Sequence, residues 1–408
     1  MRVMISPSTA HGCMEAPPSK SMAHRLLICA GCAGGTSVIS NIDLSEDIRA
    51  TLDCLRALGA QAVYENRSVT VRGIDIRACG EPSRLDCGEC GSTLRFMIPV
   101  CLMSGQKNEL KGSDRLFSRP LTVFEDICKE QGLTFEKEGN RLSVAGRLLA
   151  GRYTVAGNIS SQFISGLLFV LPLLEEDSTI RMIPPVESRP YIDMTIQALK
   201  IFGVRASWTD HCTIHIPGGQ KYCPQQDLRV EGDYSNSAFF EAFNLFDGDV
   251  QLYGLDEKSL QGDRVYRRYF EELRAGYADI DLSDCPDLGP VLMALAAALH
   301  GARLTGTARL KIKESDRGAA MQEELGKFHV RMKRSENEIL IEPGVFRPEQ
   351  MLEGHNDHRI VMALSLLLTL TGGRIRGAQA VSKSLPDYFE RLKLLGIGVT
   401  IDELDQQE

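Results

Sequence analysis

Apolar residues in this chain fall into two kinds of stretch, and the two alternate. The first kind is apolar at nearly every position and opens from a short polar segment. Six such openings occur: Pro18-Ser19-Lys20-Ser21, Gly88-Glu89-Cys90-Gly91-Ser92, Gly157-Asn158-Ile159-Ser160-Ser161, Gly232-Asp233-Tyr234-Ser235-Asn236, Cys285-Pro286-Asp287-Leu288-Gly289 and His355-Asn356-Asp357-His358-Arg359. Counted from Ser19, Gly91, Ser160, Ser235, Asp287 and His358, the steps are 72, 69, 75, 52 and 71 residues. Spacing this long and this regular predicts one supersecondary unit used repeatedly. The second kind of stretch is amphipathic. Ile48, Leu52, Leu55 and Leu58 stand at i, i+4, i+7 and i+10, the stripe of a helix with one face buried. Counterparts are expected to begin near Arg119, Arg189, Asp263, Ser315 and Leu385, at steps of 74, 70, 74, 52 and 70 from Ser45. Both ladders shorten at the same place, so the unit between Ser235 and Asp287 is abbreviated.

Short strands fill the gaps. Ser37-Val38-Ile39, Ser178-Thr179-Ile180 and Asp249-Val250-Gln251-Leu252 each follow a Gly-rich or acidic break. The second helices end at Gly59, Gly203 and Gly396, the usual residue just past a helix C-terminus. The unit therefore reads strand–helix–strand–helix–strand–strand, an α/β module with a buried first helix and a half-exposed second one. Three units per domain is the natural division for 408 residues. The polar linker Pro224-Gln225-Gln226-Asp227 and the helix-breaking Pro17-Pro18 mark the crossings. The expected domains are 19–227, and 1–18 joined by 228–408, with hinges near 17–21 and 225–233.

Composition narrows the function. Hydrophobic residues at 43% and charged residues at 25% fit an ordinary globular protein. The formal net charge of -8, with no basic run, argues against nucleic-acid binding. No apolar run reaches the roughly 18–20 residues that span a bilayer, and no signal-peptide core stands at the start. A cytoplasmic protein is expected. The 12 cysteines lie mostly in apolar stretches, as buried small hydrophobes do. Cys29/Cys32 and Cys87/Cys90 have C-x-x-C spacing but no second ligand pair at zinc spacing. His355/His358 with Asp357 is equally thin, and neither a Walker loop nor a Rossmann glycine motif is present. No metal and no cofactor are expected.

The openings carry the chemistry. A helix N-terminus is a ready anion site through its free N–H groups and macrodipole, and six of them suit a substrate bearing several negative charges. Lys20, Ser21 and Arg25 share one helical end, and Ser160, Ser161 and Gln162 offer neutral donors at another. Arg119 and Arg317 are read as opening second helices, His358-Arg359 opens a first helix, and Lys383 precedes Leu385-Pro386. Arg matches phosphate and carboxylate as a fork, Lys as a point charge. Asp287 precedes an extremely apolar helix, where N-capping and acid–base catalysis weigh equally. Glu314 lies between Lys313 and Arg317, so it can be held ionised or handed a proton. The Ser235 opening, in the short unit, has no assigned ligand and is read as the hinge side of its domain.

These segments resemble the signatures of the 5-enolpyruvylshikimate-3-phosphate synthases, within the enolpyruvyl transferase family. The matching stretches are Pro18-Ser19-Lys20-Ser21 with Arg25, Gly91-Ser92-Thr93-Leu94-Arg95, Ser118-Arg119-Pro120, Ser160-Ser161-Gln162-Phe163 and Ser188-Arg189-Pro190-Tyr191-Ile192-Asp193. In the C-terminal half they are Val230-Glu231-Gly232-Asp233, Cys285-Pro286-Asp287, Lys313-Glu314-Ser315-Asp316-Arg317, Asn356-Asp357-His358-Arg359 and Lys383-Ser384-Leu385-Pro386-Asp387-Tyr388-Phe389.

The resemblance implies a two-domain inside-out α/β barrel of six βαβαββ-type repeats, three per domain. It implies transfer of the enolpyruvyl group of phosphoenolpyruvate to the 5-hydroxyl of shikimate 3-phosphate, on the shikimate pathway to chorismate and aromatic amino acids. By resemblance, Lys20, Ser21, Arg25, Ser160, Ser161, Gln162, Ser188, Tyr191, Asp287, Arg309 and Lys313 would hold shikimate 3-phosphate. Lys20, Gly91, Arg119, Gln162, Arg317, Arg359 and Lys383 would hold phosphoenolpyruvate. Asp287 would take the hydroxyl proton, Glu314 would serve C3, Lys20 would assist, and His358 would orient Glu314. The two small molecules are the expected partners of a monomer. Glu89 replaces a usual Asn and Phe96 a usual Pro, both where the family senses glyphosate. The alternative is the related transferase acting on UDP-N-acetylglucosamine, which normally has Lys-Asn where this chain has Lys20-Ser21.

Overall fold

In the computed structural model, which describes residues 1–402, each polar opening starts a helix. The six are Lys20–Gly31, Gly91–Cys101, Ser161–Val170, Tyr234–Glu241, Gly289–Ala298 and His358–Thr371. They are buried along most of their length, as their near-continuous apolar sequence requires. Five are capped by a side chain accepting a first-turn N–H: Ser19, Cys90, Ser160, Asp233 and Asp357. The exception is Gly289–Ala298, whose start has no side-chain cap. Asp287 sits in the 3-10 turn Pro286–Leu288 before it, so the capping alternative for Asp287 is not realised.

The amphipathic helices are Glu46–Ala57, Thr122–Glu130, Arg189–Ile201, Tyr266–Ala275, Arg317–Lys327 and Tyr388–Leu394. One expectation is corrected here. Arg119 does not open a helix; it ends the short helix Asp114–Ser118 in extended backbone at φ -75°, ψ 147°. Pro120 follows it, and the residue before a proline is pushed out of the α region.

The chain divides into two compact units, Pro18–Glu231 and Met1–Pro17 with the chain from Gly232 onward. The later crossing falls at 231/232 rather than 227/228, because Leu228–Arg229 pairs in parallel with Ile39 and Ser40 and stays with the first unit. In that unit three four-stranded sheets share one plan among the described residues. Thr36–Ser40, for example, is parallel to Leu228–Arg229 and antiparallel to Ser68–Arg72, which pairs antiparallel with Gln61–Glu65.

The other unit repeats the plan in Ala278–Asp281, Ala302–Thr305, Glu338–Ile341 and Met332–Arg334. Its abbreviated repeat lacks the closing hairpin. Asp249–Tyr253 pairs in parallel with the N-terminal strand His11–Glu15 and makes a two-stranded sheet. The strand Arg2–Ile5 enters the last sheet between Gly373–Arg376 and Val399–Asp402.

Each unit has its own apolar core. In the first, a Cβ on Gly166 would come within 2.6 Å of the Arg95 carbonyl oxygen, so only glycine lets the Gly91–Cys101 and Ser161–Val170 helices approach this closely. Among the described residues no helix is long and apolar enough to cross a membrane.

Candidate active site

The first unit gathers its polar side chains where the buried helices begin. Lys20 donates to Asp47 Oδ2 at 2.6 Å from the first residue of its helix. One turn on, Arg25 is 3% exposed and donates to the Ser21 carbonyl (2.7 Å), Thr195 Oγ1 (2.9 Å) and the Tyr191 carbonyl (2.9 Å). Its guanidinium also lies 5.6 Å from the Phe96 ring centre and 6.0 Å from that of Tyr191. Burial lowers Arg25 to about 10, which leaves it charged at neutral pH. Arg25 thus fixes the Ser188–Tyr191 turn as well as presenting charge. Ser188 itself is buried in left-handed backbone at φ 55°, a conformation that costs a non-glycine residue energy.

Gly91 opens the next helix, and its missing side chain matters. A Cβ there would meet Arg119 Nη1 at 2.6 Å and Cζ at 2.9 Å. Arg119 therefore lies flat over the glycine; it is 8% exposed, and its buried Nε has no hydrogen-bond partner. A buried guanidinium with an unsatisfied donor is costly unless an anion completes it.

Gln162 stands beside the Ser160 cap, whose Oγ accepts its N–H at 3.3 Å, and Ser161 is buried next to it. Its amide is locked, donating to Ser92 Oγ (3.0 Å) and accepting from Arg95 Nη1 (3.0 Å). Arg95 also donates to the Pro120 carbonyl at 3.0 Å, tying the Gln162 and Arg119 segments together. The sequence places Arg95 in a motif stretch but gives it no role. Its available signal was an arginine inside an otherwise apolar helix.

In the other unit the site is an ionic network around Arg317, which is 1% exposed. Arg317 donates from Nη1 to Asp287 Oδ1 (2.7 Å), from Nη2 to Glu314 Oε2 (2.8 Å) and from Nε to Asp357 Oδ2 (2.9 Å). Asp287 also receives Lys313 Nζ at 3.1 Å and faces Arg359 Nη2 at 3.4 Å. Burial pushes the Asp287 carboxyl up, but Arg359, Lys313 and Arg317 outweigh it and hold it well below the ordinary range. Burial likewise lowers Lys313, and Asp287 opposes the drop. Arg359 follows the Asp357 cap and is 5% exposed; its Nε and Nη1 have no hydrogen-bond partner. The carboxylate it faces raises its affinity for its proton despite burial.

The remaining candidates are placed as follows. Lys383 is 6% exposed and donates to the Asn356 carbonyl at 2.6 Å. Arg309 is buried and donates to the Ser283 carbonyl. His358 is buried with Nδ1 3.9 Å from Asp357 Oδ1. Arg317 Nη2 donates to Glu314 Oε2 at 2.8 Å, a contact that helps to orient this carboxylate. At the Ser235 opening, Asn236 donates to Ser384 Oγ at 3.4 Å, next to Lys383. Asp47 and Asp357 were not anticipated as partners of the cations. Both are acids in the first turn or cap of a helix, positions that a capping role already explains.

Residues 6–392 match the family model of EPSP synthase (3-phosphoshikimate 1-carboxyvinyltransferase). The chain is 38% identical to a 3-phosphoshikimate 1-carboxyvinyltransferase of Clostridium perfringens, over 97% of this chain and 98% of that one. It is 37% identical to one of Clostridium kluyveri, over 97% of each. Its fold is shared with the EPSP synthase of Acinetobacter baumannii at a TM-score of 0.78 and 22% identity, over 99% of this chain and all of that one. It is shared also with the enolpyruvyl transferase NikO of Streptomyces tendae at 0.74 and 14% identity, over 98% of each. With its family model spanning nearly the whole length and full-length relatives above a third identical, this chain belongs to the EPSP synthase family.

Proposed function

We propose that this protein transfers the carboxyvinyl group of phosphoenolpyruvate to the 5-hydroxyl of shikimate 3-phosphate, with release of phosphate. The observation that carries the reading at residue level is Arg359: fully buried, it faces Asp287 with one nitrogen and keeps two donors unsatisfied. Such a group is completed by an anion, and Arg119 in the first unit likewise keeps one buried nitrogen, Nε, without a hydrogen-bond partner. Lys20, Arg119, Arg317, Arg359 and Lys383 are assigned to the phosphate and carboxylate of phosphoenolpyruvate. Ser21, Arg25, Ser160, Ser161, Ser188, Tyr191, Arg309 and Lys313 are assigned to shikimate 3-phosphate, with Gln162 serving both.

In this reading the 5-hydroxyl gives its proton to Asp287 and its oxygen adds to C2 of the enol, while C3 gains a proton from Glu314 or Lys20. The resulting tetrahedral ketal expels phosphate as C3 loses a proton. Asp287 is a weak base while three cations hold it ionised. A bound phosphate and carboxylate draw on the same cations, so the pull on Asp287 relaxes when substrate arrives and its proton affinity rises toward the useful range. The cations then stabilise the departing phosphate by preorganised charge.

The decisive assay is phosphate release with both substrates present. Release that requires shikimate 3-phosphate supports the proposal. Release with UDP-N-acetylglucosamine in its place would sink it.

Gly91→Ala tests the Arg119 assignment. The added methyl must push the guanidinium aside, which a flexible side chain allows at little cost in stability. The KM for phosphoenolpyruvate should rise by roughly tenfold, the loss of about one charge-assisted hydrogen bond, with kcat changed less and the KM for shikimate 3-phosphate unchanged. An unchanged KM for phosphoenolpyruvate would detach Arg119 from that substrate.

A further inference from the structure

Three helices of the first unit bring unlike side chains to one point: His24 from Lys20–Gly31, Asp47 from Glu46–Ala57, and Cys90 at the cap of Gly91–Cys101. All three are buried, and a His24 ring nitrogen, an Asp47 carboxylate oxygen and Cys90 Sγ lie within 4.8 Å of one another. We propose that these residues form a binding site for a thiophilic divalent cation such as Zn2+, which takes Asp47 in competition with Lys20.

The geometry suits the ion. His24 Nε2 and Cys90 Sγ are 3.8 Å apart, near the roughly 3.5 Å edge of a tetrahedron with Zn–N of about 2.0 Å and Zn–S of about 2.3 Å. The surroundings are those of a ligand set. His24 Nδ1 is 2.8 Å from Thr51 Oγ1, which is itself 2.7 Å from Thr93 Oγ1. A proton on Nδ1, donated to Thr51, leaves the Nε2 lone pair facing the thiol. Burial, with Lys20 and Arg25 nearby, keeps the ring neutral, the form that binds metal. Cys90 Sγ accepts the Thr93 N–H at 3.4 Å, a bond that strengthens when sulfur is anionic.

The protein alone is poised short of that state, because burial and Asp47 push the Cys90 thiol up to about 12. Binding would release the thiol proton to solvent and replace the Lys20 ammonium on Asp47. The route in is through the carboxylate end, where the Lys20 and Asp47 side chains are 16% and 12% exposed.

Lys20 is thereby displaced from the position its assigned role requires, so Zn2+ should inhibit turnover. This consequence rests on the proposed function; the binding does not.

The test uses the full-length protein titrated with Co2+ as an optical probe. One ion per chain with a thiolate-to-metal charge-transfer band, displaced by Zn2+, is expected for the wild type. In Cys90→Ala the band should vanish and the apparent dissociation constant rise by more than the roughly 10–100-fold typical of a lost outer-shell partner. Lys20→Met should bind at least about tenfold more tightly, because Asp47 no longer has a competing ammonium. Absence of the band in the wild type overturns the site. So does a band that survives in Cys90→Ala and is lost in Cys212→Ala, which would place the ion at Asp210, His211 and Cys212. Zn2+ that binds at Cys90 yet leaves phosphate release unchanged overturns the competition with Lys20. If the chain lacks the proposed activity altogether, the metal-free protein is inactive and the band alone decides the site.

Discussion

Replacing Asp287 by asparagine is expected to lower kcat by about 10²–10⁴-fold, the usual contribution of a positioned acid or base, with both substrates still bound. The amide keeps the shape of the side chain and can still accept from Lys313 and Arg317, so the turn Pro286–Leu288 stays in place. What it removes is the proton acceptor and one negative charge. That charge competes with substrate anions for Lys313, Arg317 and Arg359. The KM for phosphoenolpyruvate should therefore stay level or fall while kcat collapses, a split that a merely structural aspartate would not produce. Phosphate release and calorimetric binding of each substrate together check it. Near-normal turnover would remove Asp287 from the proton transfer.

Replacing Arg317 by alanine is expected to cost about 3–5 kcal/mol of stability, the scale for breaking a buried ion pair and stranding its partner. Here the stranded partners are several: Asp357 at 0% side-chain exposure, with Asp287 and Glu314 beside it. Asp357 is the critical one, since it also caps His358–Thr371 through the Arg359 N–H at 3.0 Å. Its folded-state pKa lies below the ordinary value: burial raises it, and Arg317 overrides burial. A carboxylate lowered in this way contributes stability that is present above its unfolded pKa of about 3.9 and is lost as pH falls through the folded value. Without Arg317 burial dominates and the sign reverses. The melting-temperature deficit of Arg317→Ala should thus be large at pH 7 and shrink as pH approaches about 4, where the acids can bind protons. Melting curves across that range check it, and a deficit independent of pH would show that Arg317 acts by packing alone.

Much of this was legible beforehand, and the reason is periodic. A first helix buried on all sides needs an uninterrupted apolar run, and a polar start for it has few forms, so six openings located six helix N-termini. Side-chain pairing is another matter. Arg95 and Gln162 meet across 67 residues, and Arg317 and Asp357 across 40. Nothing in a local pattern says which acid faces which base. Asp287 illustrates the limit, because the same letter before an apolar helix describes a cap or a base. Only the absence of a side-chain cap on Gly289–Ala298 separates them. Arg119 shows the opposite failure. Periodicity placed it at a helix start, while the proline beside it, read locally, already required extended backbone.

The N-terminal strands His11–Glu15 and Arg2–Ile5 have a consequence for how the molecule is made. The unit Pro18–Glu231 is continuous in the chain and has its own apolar core. The other unit is split by it, because two of its sheets take strands from the first seventeen residues. Those residues are made well before the strands they pair with, closing loops of more than two hundred residues. Such late, non-local pairing is slow and leaves strand edges open in the interval. The seventeen residues must stay unpaired throughout that interval.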